Sequence, residues 1–257
     1  MELAFRAYGE HGAPVVVLHG LFGSGESWHS VCQKLATDYR VFAPDLRNHG
    51  NSPHSDEFDY SIMGEDVHKF IEARGLDAPH VIGHSMGGKV AMQLAISFPT
   101  QVRSLVIVDM APGEDVARHK DLLQAMLQLD LRAFSTRKQM EDALQAAIPD
   151  LGTRRFLLKN VQRRPDGGFR WRLGLREIDK NYSSLTSSIR GSQQYVGPSL
   201  FVRGEESDYL QETDLLEIRH WFPRATVVMI EGAGHLVHVD QPQKMQQVLG
   251  DFLRATG

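Results

Sequence analysis

Six short apolar runs rich in β-branched residues constrain this chain more than any other feature. They are "PVVVLHG" (14–20), "YRVFAPD" (39–45), "PHVIGHS" (79–85), "VRSLVIVDM" (102–110), "PSLFVRG" (198–204) and "ATVVMIEGAG" (225–234). Runs this short and this continuously apolar suit strands buried on both faces, the pattern of a parallel sheet. Between them, "SIMGEDVHKFIEARG" (61–75) and "MGGKVAMQLAISFP" (86–99) repeat apolar residues at helical spacing. Strand and helix therefore alternate, which predicts an α/β fold: a mostly parallel twisted sheet with helices on both faces and right-handed crossovers.

One interval breaks the rhythm. Residues 111–197 hold no clear buried strand, only amphipathic stretches such as "ARHKDLLQAMLQLDLRAF" and "TRKQMEDALQAAI", joined by turns that carry Pro and Gly. The expectation is a helical cap inserted before the penultimate strand, with residues 1–110 and 198–257 forming the core. No linker-like tract flanks the insertion, so it is expected to fold onto the main body. A chain of 257 residues, 42% of them hydrophobic, can bury a core of this size as one large domain.

Composition removes several classes of partner. The formal net charge is −4, and the most basic stretch, "RRPDGGFRWR" (163–172), sets a few arginines around a Gly-Gly turn. Nucleic acid is not expected. No apolar run approaches the ~18 residues of a membrane span. The lone cysteine, Cys32, lies in the helical stretch "SWHSVCQKLA" and reads as a small buried hydrophobe. With a charged N-terminus, "MELAFRAYGE", it points to a reducing, cytoplasmic setting. Oligomeric state leaves no mark on the sequence.

Chemistry is concentrated in "VIGHSMGGKV" (81–90), where Gly83, Ser85 and Gly87 form G-x-S-x-G between a strand-like and a helix-like stretch. A strand turning directly into a helix forces the serine into a strained conformation, and only very small neighbours permit the close approach. The turn lifts the hydroxyl to the C-terminal edge of the sheet, above the positive end of the helix. A Gly-rich loop with a solvated serine is the plainer alternative. Against it, "LHGLFGSG" places His19-Gly20 at another strand end, and "GAGH" (232–235) delivers a histidine after the final strand.

With "HGLFG", "DLRNHGNS", "GHSMGGK" and "GAGH" in this order, the chain resembles the α/β-hydrolases over essentially its whole length. "GHSMGGK", "VDMAP" and "GAGHLVHVDQP" are similar to the small bacterial YbfF-like carboxylesterases and related abhydrolases. The resemblance implies an α/β-hydrolase fold and a serine hydrolase needing no cofactor and no metal. Ser85 would be the nucleophile and His235 the general base and then acid, with His238 the nearest competitor. Backbone N–H groups of Met86 and Leu21 would receive the oxyanion, Phe22 being the alternative to Leu21.

The acid is less settled. In most relatives it sits three residues past a glycine after the penultimate strand; here that glycine is Gly204 and the position is Ser207, a departure from the pattern. Asp208 follows it. Asp109, at the tip of "SLVIVDM", occupies the strand-end site that other members use, and the reading favours it over Asp208.

The expected function is a serine carboxylesterase that takes small to medium esters through an acyl-enzyme intermediate, with a small-molecule ester as its partner. Acyl thioesterases and C–C bond hydrolases share the same residues, and a ligand-binding protein on a hydrolase fold is the reading from another class. Asp45, Arg47 and His49 of "DLRNHGNS" read as a hydrogen-bonded turn, and His19, His49 and His84 lack metal-ligand spacing. Trp28 reads as a helix-start core residue near enough to wall a pocket, while Trp171 and Trp221 read as packing residues.

Overall fold

A computed structural model describes residues 1–165 and 167–257; Asp166, within the basic stretch 163–172, lies outside the described residues. In chain order the first part is β1 (Phe5–Tyr8), β2 (Pro14–Leu18), α1 (His29–Leu35), β3 (Arg40–Pro44), α2 (Tyr60–Ala73), β4 (His80–His84), α3 (Met86–Ser97) and β5 (Ser104–Val108). The interval 111–197 follows with α4 (Lys120–Gln128), α5 (Arg137–Ala143), α6 (Leu151–Leu158), a hairpin of β6 (Val161–Arg163) and β7 (Phe169–Trp171), α7 (Leu175–Lys180) and α8 (Tyr182–Leu185). The chain closes with β8 (Ser199–Gly204), α9 (Leu215–Trp221), β9 (Ala225–Ile230), α10 (Val237–Asp240) and α11 (Pro242–Thr256).

The main sheet has seven strands in the order β1-β3-β2-β4-β5-β8-β9, parallel except for β1, which runs antiparallel to β3. The continuous apolar runs follow from coverage of both faces. Leu105 and Ile107 of β5 enter the core layer that holds α2 and α3, whereas Val106 and Val108 enter the layer that holds α1 and α11. Full burial of each such side chain is worth about 1.5–3 kcal/mol.

One expectation needs correcting at the sheet edges, and one strand had no expectation attached to it. The run at 225–234 is not a doubly buried strand: β9 is an edge strand, with Val227 38% and Met229 47% exposed. At the other edge, β1 carried no periodic signal because its residues are half-buried or exposed. In the interval 111–197 the helices are joined by the β6–β7 hairpin, whose residues Gln162, Arg163 and Arg170 are exposed.

Register determines what meets at the C-terminal edge. His84 of β4 pairs with Val108 of β5, so the next residues, Ser85 and Asp109, leave the sheet side by side. Leu18 of β2 pairs with Gly83, which brings His19 and Gly20 to the same edge. After β2 the chain moves outward to β3, then returns to β4 on the other side, so the loops after β2 and β4 flank the point where the winding reverses. Ligands collect in such crevices of open α/β sheets.

Candidate active site

Ser85 has φ 53° and ψ −122° at the junction of β4 and α3, a conformation that L residues rarely adopt. Its glycine neighbours answer to steric demand. A Cβ on Gly83 would strike the Gly87 carbonyl, one on Gly87 would strike the carbonyls of Leu18 and His19, and one on Gly20 would lie 3.2 Å from Ser85 Cβ. Strand, helix and the loop after β2 thus converge on the serine. The Ser85 N–H donates to Val108 O at 3.1 Å, which ties the turn to β5. Met86 opens α3, where amides find no acceptor inside the helix and the dipole is positive.

Asp109 leaves β5 with φ 53° and is fully buried. Its Oδ1 accepts the Gly204 N–H at 3.0 Å, and its Oδ2 accepts both the Ser207 hydroxyl and His235 Nδ1–H, the latter at 2.7 Å. Ser207 therefore contacts the carboxylate from the position, three past Gly204, where the resemblance leads one to look for the acid. Asp208 is placed differently. Its side chain is 63% exposed and pairs with Arg118 at 2.7 Å, a hydrogen bond that holds its carboxyl below the usual range.

The His235 ring is stacked on Tyr209 at 3.6 Å and 15°, with the His84 ring 4.7 Å away. His84 Nε2–H donates to the His235 carbonyl at 2.9 Å, so the residue beside the serine also holds the histidine loop. Burial drives the His84 pKa well below the ordinary value, which keeps that ring neutral. His238, the competitor, is buried, stacks on Trp28 at 4.1 Å and is drawn down to about 4 by burial. It faces an indole, not a carboxylate.

The loop after β2 closes with a Gly23 N–H to Gly20 O bond of 3.0 Å, and Phe22 takes φ 61°. The Phe22 N–H donates to His49 Nε2 at 3.2 Å, while Asn160 Nδ2 donates to the Phe22 carbonyl at 2.7 Å. His49 Nδ1 in turn lies 2.9 Å from Arg47 O, so only the neutral Nδ1–H tautomer satisfies both contacts. Burial lowers its pKa to about 3, in agreement. His19 repeats the pattern, with Nδ1 on Gly20 O at 2.9 Å and Nε2 accepting from Leu46 N at 3.0 Å. These ring nitrogens are committed to backbone partners.

Ser85 and His235 open onto one cavity of about 300 Å³, walled by Leu21, Phe22, Trp28, Leu122, Phe156 and Tyr209. Trp28 is both core, at 1% exposed, and cavity wall. Trp221 and Trp171 pack against the core from partly buried positions. Ser85, Asp109, His235, Leu21 and Met86 all lie at this edge of the sheet. Tyr209, His84, His49 and Asn160 also hold it together and had no such role in the sequence reading. The histidines stood inside legible motifs, but their partners come from other loops; Tyr209 and Asn160 carried no local signal.

Comparison with known proteins agrees with this architecture. A family model described as the alpha/beta hydrolase fold matches residues 13–242. The chain is 36% identical over 247 residues to the sn-1-specific diacylglycerol lipase ABHD11 of Mus musculus, covering 93% of this chain and 80% of that protein. It is 30% identical over 258 residues to esterase YbfF of Escherichia coli K12, covering 98% and 99% of the two chains. A solved marine microorganism esterase superposes with a TM-score of 0.95 at 41% identity, over 98% of this chain and 99% of that one. No helix among the described residues is long and apolar enough to cross a membrane.

Proposed function

The chain belongs to the α/β-hydrolase family and is a hydrolase of the esterase or lipase type; from that premise we propose that it is a serine carboxylesterase acting on small to medium esters through an acyl-enzyme. One observation carries the reading: His235 Nδ1 lies 2.7 Å from the buried Asp109 carboxylate while His235 and Ser85 face one cavity. Donation from Nδ1 leaves Nε2 as the basic nitrogen.

In this mechanism Ser85 Oγ attacks the ester carbonyl carbon as His235 Nε2 takes its proton, and Asp109 stabilises the imidazolium. The oxyanion is received by the N–H groups of Met86 and Leu21. Leu21 is preferred to Phe22 because the Phe22 N–H is already given to His49. His235 then protonates the departing alcohol, and water, activated by the same imidazole, releases the acid from Ser85. Residues 111–197 serve as the cap in this account, since His119, Leu122 and Phe156 line the cavity of Ser85. A cavity of about 300 Å³ suits an acyl chain of short to medium length.

The test is steady-state turnover of 4-nitrophenyl esters from acetate to decanoate by wild type and Ser85→Ala. The expected result is an optimum below the longest chains and loss of turnover in the variant by about 10³-fold or more. Equal turnover in wild type and variant would overturn the reading.

A further inference from the structure

A second cavity, of about 360 Å³, adjoins that of Ser85 and shares Phe22, Gly23, Ser27 and Phe156 with it. Its character is opposite. Four cationic side chains line it, Arg137, Lys159, Arg163 and Arg172. Among the described residues the one carboxylate on its wall, Glu26, already pairs with Arg6 at 3.0 Å. Among the described residues none of the four cations pairs with a carboxylate, although nearby Lys138 and Arg155 both engage Glu141, at 3.2 and 3.0 Å.

Two of the four are held in place by neutral acceptors. Arg137 donates to Val161 O at 2.6 Å and Arg172 to Lys159 O at 3.2 Å, bonds that orient a guanidinium without cancelling its charge. Their placement in a chain of net charge −4 makes the groove a local positive pole. Converging cations attract an anion to such a concave site, and arginine forks match phosphate oxygens.

We infer that this groove binds the leaving-group half of the substrate, and that this half carries phosphate: the acyl chain enters the apolar cavity while a phosphorylated alcohol or thiol extends past Phe22 and Phe156 into the groove. The inference rests on the esterase reading above and adds the substrate class. Hydrolysis itself is unchanged, since the acyl carbon–oxygen or carbon–sulfur bond breaks at Ser85 and the phosphate stays on the departing group.

Two matched pairs test it and separate the sources of phosphate. One pair is 1-butyrylglycerol 3-phosphate against 1-butyrylglycerol; the other is butyryl-coenzyme A against S-butyryl-N-acetylcysteamine. The expected result is a kcat/KM preference of about tenfold or more for the phosphorylated member of at least one pair, weakening as salt rises. Lys159→Glu combined with Arg163→Glu, both exposed positions chosen to spare the fold, should bring that ratio to about one or below. A ratio near one in the wild type, or a ratio that survives the double reversal, overturns the inference while leaving the esterase reading intact. No turnover of any of the four compounds or of 4-nitrophenyl esters overturns both.

Discussion

Asp109 and His235 are separated by 126 positions in the chain, yet the account rests on the hydrogen bond between them. Asp109→Asn would present an amide to Nδ1 and disfavour the Nδ1–H tautomer, so kcat should fall by about 10⁴-fold with the fold intact. Asp208→Asn removes only an exposed pair with Arg118 and should leave turnover within about twofold. Near-normal turnover of Asp109→Asn alongside a collapse in Asp208→Asn would reverse the two. From sequence, Asp109 is favoured by its place at a strand tip and Asp208 stays the alternative, because the choice depends on how the loop after β8 folds. Ser207 stood at the expected place with the wrong chemistry for an acid, and its hydroxyl donates to Asp109. His49 makes a subtler case. His49→Ala deletes the acceptor of the Phe22 N–H, freeing the loop that offers Leu21, and should lower kcat by about tenfold or more with a smaller change in KM. A change confined to KM would mean that the loop binds substrate and does not hold the oxyanion.

At the scale of elements, β4, its turn and α3 were the most legible parts of the chain. The glycines at 83 and 87 announce a close approach before any partner is known, and each lacks room for a Cβ. Gly87→Ala should destabilise the protein by about 1–3 kcal/mol or more, visible as a lower midpoint in urea unfolding. A midpoint equal to wild type would show that the packing is looser than described. The edge strand β1 escaped because its half-exposed residues lack the apolar run that marks buried strands, whereas β9 was legible as a strand but not as an exposed edge. A further junction was invisible beforehand. Lys89, fully buried in α3, donates its ammonium to the Gly113 and Ser187 carbonyls, near the two ends of the interval 111–197, and burial lowers its pKa to about 8. Lys89→Met keeps the volume but strands both carbonyls, so amide hydrogen exchange should quicken around residues 113–118 and 186–189 before it does in the sheet. Uniform protection in that variant would contradict the anchoring.

For the whole molecule, the neutral histidines, His49 and His238 buried and His119 half-buried, set the response to acid. Burial lowers His49 to about 3 and His119 and His238 to about 4, whereas their unfolded value is 6.5. Between those limits the unfolded chain binds more protons than the folded one, so stability is fully present above about pH 6.5 and is lost as pH falls toward 4. Each such histidine steepens the loss by up to about 1.4 kcal/mol per pH unit. Thermal unfolding should therefore give a flat Tm between about pH 7 and 8 and a steep decline below pH 6; a Tm that rises on acidification from pH 7 would contradict it. The alternation of strand and helix made the sheet legible as a whole, whereas the positive groove draws on residues from 137 to 172 and takes shape only in three dimensions. The central claim remains that Ser85, served by His235, is the acyl acceptor. Incubation with diethyl 4-nitrophenyl phosphate, followed by intact mass and peptide mapping, tests it most directly. The account predicts a single diethylphosphoryl group on Ser85, appearing in step with loss of ester hydrolysis. Labelling at another residue, or full turnover by protein labelled at Ser85, would contradict it.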